Sequence, residues 1–163
     1  MGKHVWEFTN QRKLTASEFV DYFERKIFRT IRKYSMLPKN KIITLKKSNS
    51  LNTNVLKEIL EKKFKVRFST SPNFSSDNLS AVAEGIFKDI IKGKFEKVTP
   101  DIGLKKPLYF LSDKEVGLYA ELKRIKGVKR KVNKKIRKFF EKFLDKNQDL
   151  EINIVKAAGQ IKD

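Results

Sequence analysis

The chain has 163 residues, 39% of them apolar with 13 Phe, no cysteine, and a formal net charge of +19. That length carries a single domain with a core of its own, and so much apolar matter argues against disorder. The lack of thiols excludes disulfides, thiolate nucleophiles, cysteine zinc sites and thiolate-held iron–sulfur clusters, and the charge points to a polyanionic partner, nucleic acid before membrane.

Residues 1–15 read as an N-terminal arm. The opening "MGKHVWEFTNQRK" has no apolar signal core and, with Trp6 where a hydroxyl is needed, no myristoylation pattern. His4 is the only histidine and reads as a solvated residue. The spacing of Thr15 and Glu18 predicts a capping box at the head of a five-turn helix, "TASEFVDYFERKIFRTIRKYSML". Phe19, Tyr22, Phe23, Ile27, Ile31 and Tyr34 recur along it at helical spacing as a core stripe. Arg25, Lys26, Arg29, Arg32 and Lys33 make its other flank basic, and Pro38 ends it.

Ile42–Leu45 reads as a short strand, followed by the polar loop "KKSNS" and a helix from near Thr53 to Lys63. "FKVRFST" (64–70) alternates as a strand, and "SPNFSSDN" is a polar turn. A helix from Leu79 ends near Gly93. "KKPLYFL" is expected to be extended, with a third strand at about Leu108–Phe110. Ser112 and Glu115 head another helix with a second capping box, broken by Gly127. "VNKKIRKFFEKFLDKNQ" is a basic amphipathic helix, and "LEINIVKAAGQI" closes the chain as a short apolar element. Strands alternate with helices, so the class is α/β, a small parallel sheet flanked by helices. Residues 16–163 form one domain with a basic helical region at 123–163. No run reaches the ~18 apolar residues of a spanning helix, and the composition fits a cytoplasmic protein.

Five segments carry a resemblance to a known family: "FVDYFERKIFRTIRKYSML", "IITL", "PNFSSDNLSAVAEGIFKDIIKGKF", "KPLYFLSDKEVGLYAELKRIKG" and "IRKFFEKFLDKNQDLEINIVKAAGQI". In this order they resemble the PP-loop ATPases that 2-thiolate tRNA, the group containing the cytoplasmic tRNA 2-thiolation proteins. The resemblance implies a reduced adenine-nucleotide-hydrolase-like fold, tRNA as partner, and a place in tRNA 2-thiolation. The departures bear on activity. The family's first strand runs into a Ser-Gly-Gly-Lys-Asp-Ser loop, whose glycines let backbone amides approach phosphate. Here the matching residues are Lys46, Lys47, Ser48, Asn49, Ser50 and Leu51, with no glycine. The family's paired aspartates after an Asn are matched by Ser75 and Ser76 after Asn73, and hydroxyls alone do not hold a divalent ion. The family's cysteines have no counterpart. The expectation is a pseudoenzyme with no catalytic residue, no metal and no cofactor, though "KKSNS" also fits an ordinary βα loop that never met nucleotide.

The match leaves almost no room between the helix after the loop and the next strand, so two family strands are expected to be missing. Ile42–Leu45 would then be an exposed edge. Either a partner or Val5, Trp6 and Phe8 would cover it, or those aromatics pack on the first helix. The run Lys123–Lys142 holds eleven Lys or Arg against one acid, Glu141, with Val132, Ile136, Phe139, Phe140 and Phe143 as its apolar stripe. Such a charge is best offset by phosphates. Candidate RNA contacts are Lys123, Arg124, Lys129, Arg130, Lys131, Lys134, Lys135, Arg137 and Lys138, with Arg25, Arg29, Arg32 and Lys33. The expected role is a non-catalytic tRNA-binding subunit beside a catalytic PP-loop paralogue. A stand-alone basic RNA-binding protein is the alternative, and an active adenylating enzyme is disfavoured by the missing glycines, acids and cysteines.

Overall fold

The computed structural model describes residues 2–94, 105–144 and 147–160. β1 (His4–Glu7) pairs antiparallel with β2 (Lys13–Thr15). The turn between them is closed by Arg12 N–H on the Asn10 side chain and by Gln11 at φ 67°. Thr15 caps α1 (Ala16–Lys33) with the expected reciprocal box: Glu18 N–H donates to Thr15 Oγ1 and Thr15 N–H to Glu18 Oε2. Trp6 lies 5.4 Å from the Phe19 ring and Phe8 meets Tyr22 edge-on at 5.1 Å. The N-terminal aromatics therefore pack on α1 and not on a sheet edge. A short loop with one tolerant turn residue hid this hairpin from a reading by periodicity.

β3 (Ile42–Leu45) leads through α2 (Leu51–Leu60) to β4 (Lys65–Phe68), which pairs with it in parallel, Ile43 opposite Val66 and Leu45 opposite Phe68. β3 is not the exposed edge expected from its sequence. Thr44 N–H donates to Asn73 Oδ1 at 2.8 Å, and Asn73 Nδ2 donates to Ile42 O at 3.1 Å. Phe74 N–H completes the set on Thr44 O. The Asn73 amide thus offers a donor and an acceptor to the side of β3 away from β4, as a neighbouring strand would. Ile43 and Leu45 are buried, and the outer strand is β4.

The third strand expected at Leu108–Phe110 is a pair of turns instead. Tyr109 N–H reaches Lys106 O, and Leu111 N–H reaches Leu108 O. Pro107 suits the second position of such a turn. Leu108 and Leu111, three apart, are both fully buried, a spacing that turns satisfy and a strand does not. Within 105–111, Lys105 joins the sheet side, through Ser75 N–H on its carbonyl.

Four more helices follow: α3 (Leu79–Ile91), capped by Asn78, α4 (Asp113–Lys123), α5 (Lys134–Leu144) and α6 (Leu150–Gln160). α4 carries the expected box, Ser112 with Glu115. One core joins α1, α2, β3 and α4, with Tyr119 stacked on Phe23 at 4.4 Å. A second joins Leu79, Ala83 and Ile86 of α3 to Val155 and Ala158 of α6. The closing segment is thus a packed helix. Among the described residues, no helix is long and apolar enough to cross a membrane.

Candidate functional site

The loop Lys46–Ser50 sits at the C-terminal end of β3, where open α/β sheets place ligands. Lys46, Lys47, Ser48 and Asn49 are exposed. The helix after it begins at Leu51, two residues earlier than the pattern suggests, because Ser50 is its cap. A helix N-terminus binds phosphate through free amides. Here, among the described residues, the amides of Ser50, Leu51 and Thr53 are spoken for, and that of Asn52 is not. Thr53 N–H donates to Ser50 Oγ at 3.1 Å and Ser50 N–H to Ser48 Oγ at 3.0 Å. Leu51 N–H donates to the carbonyl of Val128 at 2.8 Å, and Val128 N–H returns to Asn49 O at 2.8 Å. Asn54 Nδ2 also holds Lys126 O at 2.8 Å. The segment 126–128 therefore lies across the head of α2 and points oxygens where an anion would need donors.

Gly127 makes that approach possible. A Cβ there would stand 2.8 Å from Leu51 Cα and 2.9 Å from Leu51 N. Both are backbone atoms that cannot swing away. Gly127→Ala is expected to cost about 1–3 kcal/mol by overpacking. It should lower the melting temperature by about 3–10 °C in a thermal scan at neutral pH. An unchanged melting temperature would mean that 126–128 is not seated on α2.

The second half of the loop site comes from 73–77. The Asn73 side chain is spent on β3. Ser76 Oγ lies 2.9 Å from Thr53 Oγ1, and Asn52 Nδ2 donates to Ser76 O at 3.2 Å. Ser75 Oγ accepts from Asp77 N–H. Between the two halves is a hollow of about 220 Å³, lined by Leu45, Pro72 and Phe74 together with the hydroxyl residues Ser48, Ser50, Thr53, Ser75 and Ser76. Its lining is more apolar than polar, and its charged residues are Lys46 and Asp77.

The basic residues fall into exposed and committed sets. Arg25, Arg29, Arg32 and Lys33 are exposed on α1, Arg25 paired with Asp21 at 3.1 Å. Lys123 ends α4, and Arg124 caps it in the left-handed region. Lys129 and Lys131 are exposed on the segment before α5, and Lys134, Lys135 and Lys138 on α5 itself. Ile136 and Phe140 turn inward, Phe139 stacks on Phe87 at 5.0 Å, and the Phe143 side chain lies outside the described residues. Arg137 is half-buried and reaches Glu141 at 3.5 Å.

Arg130 is different. Only 18% of its side chain is exposed, and its guanidinium bonds Asp113 at 2.8 Å and Glu84 at 3.1 Å. Burial works against its charge, but the bonds and charges of Asp113 and Glu84 outweigh that, so its pKa lies above the ordinary value. Glu84 also accepts Asn133 N–H, and Asp113 accepts the Asn78 amide. Charge alone cannot separate this arginine from its exposed neighbours, and Arg130 is not a free cation.

Beneath this cluster Glu151 is 5% exposed and accepts from Ser80 Oγ at 2.7 Å. Burial pushes its pKa up, Asp113 adds to the rise, and Ser80, Arg130 and Arg137 oppose it. A carboxyl with a raised folded-state pKa contributes most stability below its unfolded pKa and loses that contribution as pH rises. Glu151→Gln keeps an acceptor for Ser80. It is expected to leave stability unchanged at pH 4 and raise it at pH 7, read from urea midpoints at both pH values. A midpoint that falls at pH 7 would show that the ionised form is needed.

No protein-family model matches the chain, and no curated protein matches it. Among solved structures the chain is similar to the U34-tRNA thiolase NcsA from Methanococcus maripaludis with its 4Fe–4S cluster, at TM-score 0.76 and 13% identity, covering 97% of this chain and 84% of that chain. The residues here do not fit such a cluster. The chain has no cysteine, and among the described residues no group of three or more His, Cys, Asp or Glu could hold a metal ion. The α/β fold of this chain, a small parallel sheet flanked by helices, is similar to the fold of that tRNA thiolase.

Proposed function

We propose that this chain is a non-catalytic, tRNA-binding protein of tRNA 2-thiolation that works beside a catalytic paralogue. The observation that carries the loss of catalysis is the covered head of α2, where Leu51 N–H is taken by Val128 O and Thr53 N–H by Ser50 Oγ, in a loop without glycine. The similarity in fold to a U34-tRNA thiolase supports the tRNA connection, and the exposed lysines from 129 to 138 supply a phosphate-binding surface. The missing cysteines support a partner, since thiolate chemistry would have to come from another chain. A cytoplasmic site of action belongs to the same reading.

Titration calorimetry with magnesium-ATP is the direct test. Binding no tighter than roughly millimolar is expected, as point attraction to Lys46 and Lys47 only. Micromolar affinity would end the non-catalytic reading. Capture from native extract decides between the two forms of the proposal. A stoichiometric partner with an intact glycine-bearing phosphate loop supports the paired subunit. Recovery of tRNA with no protein partner favours a stand-alone RNA-binding protein.

A further inference from the structure

β4 has one side on β3 and the other open. Ser69 N–H donates to Leu45 O, and the register sets Val66 opposite Ile43 and Phe68 opposite Leu45. In a parallel ladder this aims the amides of Arg67 and Ser69 at β3 and those of Val66 and Phe68 away from it. Among the described residues, no hydrogen bond reaches the outward N–H and C=O groups of Val66 and Phe68. The edge thus carries two donors and two acceptors in one row.

The side chains along it are of two kinds. Lys65 and Arg67 are exposed and have no ion pair among the described residues, while Lys62 and Lys63 just before them are exposed as well. Val66 and Phe68 share the opposite face by the two-residue period of a strand. Val66 packs on the core, but Phe68 is 43% exposed, with the Lys57 ammonium 5.4 Å from its ring centre. Charged residues alone would be an ordinary guard for an edge. A half-exposed phenyl ring beside open backbone groups is no guard, because it adds apolar attraction to the place a guard protects.

We propose that the outer edge of β4 takes an extended acidic segment of a protein partner as an added strand. Main-chain bonds to Val66 and Phe68 supply the pairing, apolar side chains lie over those two residues, and acidic ones face Lys65 and Arg67. A second copy of this chain is a poor occupant. Pairing β4 with itself would set Lys65 and Arg67 against the same cations of the other copy, in a chain of net charge +19. The inference stands apart from the tRNA reading, since it uses none of the residues assigned to RNA.

The test uses the full chain, 15N-labelled, and an acetylated, amidated hexapeptide alternating Glu with Val. The expected result is a shift and at least a tenfold slower exchange of the Val66 and Phe68 amides. Arg67 and Ser69, already bonded to β3, should change little. A hexapeptide alternating Lys with Val should have no effect, and Lys65→Glu with Arg67→Glu should exchange the two preferences. Phe68→Pro removes an outward N–H that the β3 ladder does not use. It should abolish the slowing at Val66 while protection of Arg67 persists, which shows that the sheet survives. The proposal is overturned if the Glu–Val peptide leaves Val66 and Phe68 unprotected, or if the Lys–Val peptide protects them equally. It is also overturned if a short oligouridylate, and not the acidic peptide, shifts the edge, which would make it a nucleic-acid surface.

Discussion

Changing Lys129, Lys131, Lys134, Lys135 and Lys138 to Glu is expected to abolish tRNA binding while the chain stays folded. All five are exposed, and none is ion-paired among the described residues. α5 docks through Ile136 and Phe140, which the change leaves alone. Each phosphate neutralised by a cation adds about 0.7 to 0.9 to the slope of log affinity against log salt. Losing five such contacts should flatten that slope by roughly four and weaken binding by at least about a hundredfold at 0.1 M salt. The measurement is a filter-binding or anisotropy titration at several salt concentrations, with circular dichroism as the check on folding. A variant that binds tRNA as well as the parent would place the interface elsewhere, with Arg25, Arg29, Arg32 and Lys33 the next set to reverse.

Arg130→Met should do the opposite: it should cost stability and spare RNA affinity. The substitution strips a half-buried cation from two carboxylates, Asp113 and Glu84, on two different helices. Breaking a fully buried pair costs about 3–5 kcal/mol. These side chains are 17–25% exposed, so about 2–4 kcal/mol is expected after screening by water. Adding Glu84→Gln should recover part of the loss, because one uncompensated charge is removed with its partner. Urea unfolding gives the cost. A tRNA titration well below the unfolding midpoint should find the affinity within about threefold of the parent. A large loss of affinity at unchanged stability would return Arg130 to the interface.

Much of the secondary structure was legible because it depends on neighbours three or four residues away. Thr15 with Glu18 and Ser112 with Glu115 form their boxes within one helical turn, whatever the rest of the chain does. Phe19, Phe23, Ile27 and Ile31 line one face by the helical period and are all buried. The segment at Leu108–Leu111 misled because a short apolar run fits a strand or a turn equally well until its neighbours are known. The N-terminal hairpin escaped because β2 is three residues long and its turn lacks glycine.

The loop before α2 shows both sides of this division. The sequence alone showed that this loop has no glycine and that the chain has no thiol. Composition also pointed to a polyanionic partner, since a net charge of +19 attracts one. Which cations face solvent was decided by packing. Arg130 and Lys131 are adjacent in sequence, yet one is held between Asp113 and Glu84 and the other is free. The closing of the α2 head by Val128, and of the β3 side by Asn73, joins residues 77 and 29 positions apart or more. Such contacts form only when the folded chain brings a spare carbonyl or amide beside an unsatisfied backbone group. No local pattern encodes that meeting, so the tertiary structure alone determines that β4 is the outer strand and that Val128 takes the Leu51 amide at the head of α2.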